Sequence, residues 1–454
     1  MKKHFFMQPV LKFVGNGTLF SRVFASALRV FAVLLSIGAL LASALFLAST
    51  RARADDWPQW RGPNRDGHSK ETGLLKEWPK DGPRLVWQVK DLGGGYSTPS
   101  VAGGRVYLMT NKGLEDEFVT ARDAKDGSAL WSTRIGKVGN PDQQPKYPAA
   151  RSTPTVDGAV QYVLGSDGDL ASLETAAGKV LWQKSLRADF GGKPGTWAYS
   201  ESPLLDGDVV VCTPGGAEAT VVALNKKTGE VVWKCAVPGG ARAGYASVVV
   251  AGIGGGRQYV AYTGDGLFGV DAKSGKFLWR YDKTTGRQGM SILTPVVGEG
   301  LVYSGNEPLG AAAVRLPADA GAAKVDEVYR GMKLPRMIGG AVLVGEYLYG
   351  TSGATLVCAE FKTGQVKWSE RSVAPGAVCY ADGQLYLHGE SGDMALVEAT
   401  PEAYREHGRF TPPNPPMQRA IPAEKAWAYP VIANGRLYIR DSDSLWCYDI
   451  KAPN

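Results

Sequence analysis

Catalysis needs side chains that ligate, attack or move protons, and this chain offers them sparsely. Beyond its first 54 residues only three His remain, His68, His388 and His407, far apart in sequence. They share no metal-ligand spacing with the Cys or the acids. Gly191-Gly192-Lys193 lacks the spacing of a phosphate-cradling loop, and Pro194 stands where that loop needs Ser or Thr. No Gly-x-Ser-x-Gly nucleophile elbow occurs. The five Cys (Cys212, Cys235, Cys358, Cys379, Cys447) are scattered singly, and an odd number cannot all pair internally. They read as small apolar core fillers, with a disulfide between the 358 and 379 strands as the alternative. No catalytic residue and no metal site is therefore expected. What could act is a mixed set standing just before recurrent strand starts: Tyr96, Arg151, Glu201, Tyr245, Met290, Arg336 and Trp427. Such a set could receive a flat or anionic ligand or a partner's peptide, or merely line a water-filled funnel.

The elements that must position this set are repeats. Five times an acid or Asn is followed, four residues later, by Gly and, four further on, by Trp. The copies are Asp123–Gly127–Trp131, Glu174–Gly178–Trp182, Asn225–Gly229–Trp233, Asp271–Gly275–Trp279 and Glu360–Gly364–Trp368. The acid or amide can cap a tight turn, and Gly supplies its positive φ. The strand that follows delivers a large aromatic to a fixed place. Upstream, Ser97-Thr-Pro, Ser152-Thr-Pro, Glu201-Ser-Pro, Leu293-Thr-Pro and Ala428-Tyr-Pro read as equivalent strand starts, where Pro can spare its N–H. A second strand usually carries a Tyr: Tyr107, Tyr162, Tyr259, Tyr303, Tyr349, Tyr386 or Tyr438. The unit is thus four short antiparallel strands, a propeller blade.

First strands recur near Pro99, Pro154, Pro203, Val248, Pro295, Ala341, Ala377 and Pro430, which makes eight blades. Outer-strand aromatics fall at Trp87, Trp131, Trp182, Trp233, Trp279, Tyr329, Trp368 and Phe410, with Tyr329 and Phe410 standing in for Trp. The fifth and seventh units lack the turn signature, so seven blades is the alternative. The last unit ends at Asp449 without an outer strand, while Gly82–Val89 is an outer strand without inner ones. Donating the second to the first closes the ring and removes two exposed edges. The expected fold is all-β, an eight-bladed propeller over residues 82–454.

Residues 1–54 hold seven Lys or Arg and no acid, which leaves 44 basic against 44 acidic residues in the remainder. The excess of positive charge is therefore no pointer to nucleic acid. An apolar run from about Val30 to Ala48, then Ala52-Arg53-Ala54, reads as a signal peptide, with an uncleaved membrane anchor as the alternative. The expected location is periplasmic or extracellular, as a monomer, with membrane contact only through an uncleaved leader. Residues 55–81 form an arm rich in Trp and Arg that should not float free, since Trp57 and Trp60 would then sit in water. It reads as a tether across the propeller or a plug in its channel. Thr411–Gln418, with four Pro, reads as a semi-rigid loop between blades seven and eight.

The Ala-x-Asp-x-x-x-Gly-x-x-x-Trp string at Ala121–Trp131, with weaker copies ending at Trp182, Trp233, Trp279 and Trp368, resembles the docking repeat of pyrroloquinoline-quinone (PQQ)-like propellers. That family includes quinoprotein alcohol dehydrogenases and the non-enzymatic outer-membrane assembly lipoproteins of the BamB branch. The stretch Trp57-Pro-Gln-Trp-Arg-Gly-Pro-Asn-Arg-Asp-Gly67 is similar to the leader of secreted planctomycete-type members. The resemblance implies the fold and, through the BamB branch, a binding or scaffold role with protein or envelope partners. Through the dehydrogenase branch it implies PQQ and calcium. Yet the adjacent Cys pair of the dehydrogenases, a haem-attachment motif and the lipid-modified Cys of BamB are all missing from this sequence.

Overall fold

The computed structural model describes residues 56–143, 150–253, 256–285, 290–317, 325–416 and 425–453. The leader, read above as a signal peptide or anchor, lies outside them. Among the described residues no helix is long and apolar enough to cross a membrane. Strands dominate because apolar residues recur with period two between Gly-bearing turns. They assemble into eight sheets of four antiparallel strands, each in simple sequential order except the last. In that one Arg84–Val89 pairs with Ser444–Asp449, with Arg84 opposite Asp449. The ring closes as the two orphaned chain segments require, and the five Cys are buried and unpaired.

Neighbouring blades are locked by one recurring contact. The indole N–H of Trp131 donates to Thr175 O (3.0 Å), that of Trp182 to Lys226 O (2.9 Å) and that of Trp87 to Ala124 O (3.1 Å). Each acceptor directly follows the acid or Asn that opens the turn of the next blade. The ring of each Trp then lies flat on the Gly of that turn. A Cβ on Gly178, whose φ is +69°, would stand 2.4 Å from Trp131. Glycine is thus required twice over, by its conformation and by the close approach. Tyr329 plays the same part in blade five, donating to Phe361 O at 2.6 Å. Trp279 faces that turnless blade, and its N–H donates within its own blade to Gln258 Oε1 (2.7 Å).

Blade seven departs from the expected pattern. In blade six Trp368 lies opposite Cys358 just past a bulge. The matching register in blade seven, opposite Leu396, belongs to Gly408, not Phe410. The missing indole comes from the arm. Trp78 stacks where a Gly408 side chain would be, its Cβ 2.6 Å from the missing Cβ position. Its backbone N–H donates to His407 O (2.9 Å), and its ring lies 5.8 Å from Tyr386. The own-blade Tyr–Trp pairs elsewhere stand at similar spacings, 6.1 Å for Tyr107–Trp131 and 6.0 Å for Tyr349–Trp368. Phe410 packs between Trp78 and Tyr448 and keeps the stand-in's contact with the next turn, its ring 2.5 Å from where a Cβ on Gly82 (φ +82°) would stand.

Trp78 therefore belongs to the core of the ring. Trp78→Ala should cost about 3–5 kcal/mol in denaturant unfolding of the full chain, the range for deleting a buried aromatic. The loss should match that of Trp131→Ala; an unchanged midpoint would reduce this part of the arm to a loose tether.

Candidate functional site

The innermost strand of each blade has one edge without a strand partner, and these edges ring the axis. Residues 56–69 of the arm run among them. Trp57 exchanges both backbone hydrogen bonds with Val101 of blade one (2.7 and 2.8 Å), and Val156 N of blade two donates to Pro58 O at 2.8 Å. Arg65 donates to Ser202 O (2.8 Å) and Pro203 O (3.0 Å) of blade three. Trp60 Nε1 donates to Thr294 Oγ1 of blade five (3.0 Å), and Arg61 Nη2 to Ala341 O of blade six. Tyr380 of blade seven donates to Gly67 O and accepts from Ser69 N. Contacts to the inner strands of six blades put the arm on the axis as a plug. Arg61 and Arg65 are 2% and 4% exposed, and a Cβ on Gly67 (φ +84°) would meet Val342 at 2.7 Å.

On one side of the plug is an apolar cup of about 280 Å³. Its wall is three aromatic pairs: Tyr96 with Trp427 (4.9 Å), Trp197 with Tyr245 (6.2 Å), and Trp60 of the plug with Tyr429 (4.6 Å). Met290 and Ile292 lie beside them, and among the described residues Arg151 is the one cation in the lining. That guanidinium donates to Trp197 O and lies 5.8 Å from the Tyr96 ring. Five of the seven residues expected before the strand starts, Tyr96, Arg151, Tyr245, Met290 and Trp427, thus line one cavity. Trp60, Trp197 and Tyr429 join them; Trp60 was signalled only by the aromatic richness of 57–60, Tyr429 stands inside the Ala428-Tyr-Pro strand start, and nothing in the repeat marked Trp197.

Glu201 and Arg336 are placed otherwise. Arg336 turns away to Glu307 O, Met332 O and Ser352 Oγ, so its charge ties down loops. Glu201 is buried; its Oε1 accepts from Thr213 N. Burial outweighs that bond and the nearby Arg65, and its carboxyl is pushed up to about 7. Glu117, equally buried, accepts from Ser166 N and is likewise pushed up to about 7 by burial. Among the described residues no three His, Cys, Asp or Glu converge as metal ligands.

The strand starts also form a hoop around the cup. Ser97 Oγ donates to Ser152 O (2.7 Å), Thr153 N to Ser202 Oγ (2.9 Å), Ser202 N to Ser247 Oγ (2.9 Å) and Tyr429 N to Thr98 Oγ1 (2.9 Å). Ser and Thr hydroxyls at the strand starts carry this role.

A family model described as outer membrane protein assembly factor BamB matches residues 69–196 and 144–370. Over 317 residues the chain is 24% identical to BamB of Yersinia pestis, covering 64% of this chain and 71% of that protein. It is 27% identical over 180 residues to the quinoprotein alcohol dehydrogenase PedH of Pseudomonas putida, covering 38% of this chain and 28% of PedH. The chain spans 20–30% of the length of several curated relatives it matches, PedH among them. The crystal structure of BamB from Moraxella catarrhalis superposes with a TM-score of 0.53 at 14% identity, covering 82% of this chain and 98% of that one. At that identity the likeness is one of fold.

The two buried carboxyls set a pH dependence. Both have folded pKa values raised to about 7 from 4.5. Their unfolded forms therefore release protons first, and stability falls as pH rises between about 4.5 and 7. Each contributes a loss on the order of 2–3 kcal/mol over that window. Glu201→Gln should flatten the decline in melts taken from pH 4.5 to 7; an unchanged slope would mean that Glu201 ionises in the fold as it does in water.

Proposed function

Because this chain belongs to the PQQ-like propeller family described as outer membrane protein assembly factor BamB, we propose that it is a non-catalytic binding module of the cell envelope, acting as a monomer on protein or envelope partners. The observation that carries this reading is the plug. A propeller whose axis is filled by its own backbone-bonded arm keeps a shallow dish at the mouth. The dish has aromatic walls, which give large contact area at low entropic cost, and one guanidinium to orient an acceptor group. That composition suits an apolar or aromatic side chain presented by a partner. The envelope assignment draws on the named role of the relatives and on the basic, apolar leader.

The second reading is a PQQ- and calcium-dependent dehydrogenase, favoured by the likeness to PedH and by the flat aromatic walls. The donor set fits it poorly. A calcium ion needs several oxygen ligands, and no carboxylate lines the cup among the described residues. Among the described residues the quinone's acid groups would find one cation in the lining, Arg151.

Two measurements separate the readings. A photo-crosslinking residue at Met290 should capture a discrete envelope protein, and Trp427→Ala should reduce the yield several-fold with the melting point held. Absence of any discrete adduct would remove the partner-binding role of the cup. Incubation with micromolar PQQ and calcium, then gel filtration, should leave no quinone absorbance with the protein. Co-eluting quinone with alcohol-dependent dye reduction would overturn the non-catalytic reading.

A further inference from the structure

In each blade the outermost strand pairs on one side only, which leaves a free edge at the rim of the ring. Just before the Trp register these strands carry a one-residue bulge: Leu130 in blade one, Leu181 in blade two and Val232 in blade three. A bulge interrupts the free edge, so a further strand finds no regular ladder to join there. The fold does not dictate the side chain at the bulge, because Lys367 and His407 hold that place in blades six and seven. In blades one to three it is aliphatic and turned to solvent: Leu130 is 43% exposed, Leu181 45% and Val232 51%. Val180 and Val231, each one residue earlier, are exposed as well.

These residues form one band, because the blades interlock beneath them. Trp131 and Thr133 of blade one donate to Thr175 O (3.0 Å) and Gly178 O (2.7 Å) in the blade-two turn, and Trp182 donates to Lys226 O (2.9 Å) in the blade-three turn. The blade-two turn adds apolar surface of its own. Ala176 stands where the turns of blades one, three, four and six have Lys125, Lys227, Lys273 and Lys362, and both Ala176 and Ala177 are exposed. Cations accompany the band: residues 174–184 and 225–234 hold five Lys against two acids, Glu174 and Glu230. Lys226 is paired with Asp157 (2.9 Å), but among the described residues no acid pairs with Lys179, Lys184, Lys227 or Lys234.

A protein partner and a membrane ask for different side chains. Protein interfaces are enriched in Trp, Tyr and Arg and depleted in Lys. Here the rings of Trp131, Trp182 and Trp233 are turned onto the glycines of the next turns, and aliphatic and Lys side chains are left outside. Short aliphatic groups among unpaired ammonium groups match an anionic bilayer, which takes the methyls into its interface and the charges at its headgroups. We propose that the rim of blades one to three docks on an anionic phospholipid surface, with Leu181, Val231 and Val232 entering the interface and Lys179, Lys227 and Lys234 meeting the lipid phosphates. This surface is separate from the cup, and its test does not involve what the cup receives.

The five native Cys are buried, so a polarity-sensitive fluorophore can be attached selectively to Val232→Cys in the full chain. Vesicles of phosphatidylglycerol and phosphatidylcholine in equal parts should shift its emission to the blue and raise it several-fold. The same label on Lys367→Cys, at the matching bulge of blade six, should not respond, which separates the rim from any contact made by the leader. Lys179→Glu with Lys227→Glu should weaken the Val232→Cys response about tenfold or more while the melting temperature holds. No response, equal responses at the two labels, an equal response to phosphatidylcholine alone, or indifference to the Lys pair would overturn the proposal. So would a larger response to soluble poly-glutamate than to the vesicles, which would make the band a docking face for an acidic protein.

Discussion

The constraint on which the structure depends lies at the axis. Bending eight sheets into a ring leaves each innermost strand with an edge of backbone N–H and C=O groups that no ninth strand can pair. Such groups, when buried, must find partners. The hub has no room for a second sheet. The arm solves this with an irregular peptide in which backbone pairs at Trp57 and Gly67 alternate with guanidinium forks at Arg61 and Arg65. Irregularity is the point: each blade presents its edge at a different angle, so no regular strand could meet more than one of them.

From the hub outward, the same economy repeats at two radii. Near the axis Ser and Thr hydroxyls bridge strand starts; at the rim, indoles lie on glycines and donate to the carbonyl beyond the turn acid. The inner hoop needs small polar side chains and the outer lock needs large flat ones. The two patterns therefore occupy different parts of each repeat and do not compete. Between them the cup inherits its shape, since five of the residues just before the hoop, Tyr96, Arg151, Tyr245, Met290 and Trp427, line the mouth.

Features set by local chemistry were legible in the sequence. The Gly–Trp turns, the Pro starts, the second-strand Tyr residues and the closure of the last blade by the strand that carries Trp87 all follow from patterns that recur, and recurrence is visible without coordinates. Tyr329 was recognisable because spacing alone placed it. What escaped was non-local. Gly408 looks unremarkable until Trp78, far away in the chain, is seen standing in its place. Glu201 belongs by position with the cup, yet Thr213 N and the depth of burial turn it inward. The arm was legible as a tether or a plug, but nothing in a short, aperiodic segment shows which carbonyls Arg61 and Arg65 reach.

Closure of the last blade has a kinetic side. Arg84 and Asp449, which lie opposite each other in the final sheet, are 365 positions apart. That pairing, like the seating of Trp78 in blade seven, is among the most non-local contacts a chain of this size can make, and such contacts are the slow ones to form. The strand at Arg84–Val89 is among the first parts of the propeller to be synthesised and the last to find its partner. Until residue 449 has emerged, that strand has a free edge and Trp87 lacks its blade. The nascent protein therefore passes through a stage in which its blades are present but the ring is open, exposed to pairing with other chains. A charged residue at each end of the waiting strand's reach, Arg84 and Lys90, helps blunt that edge against the wrong neighbour.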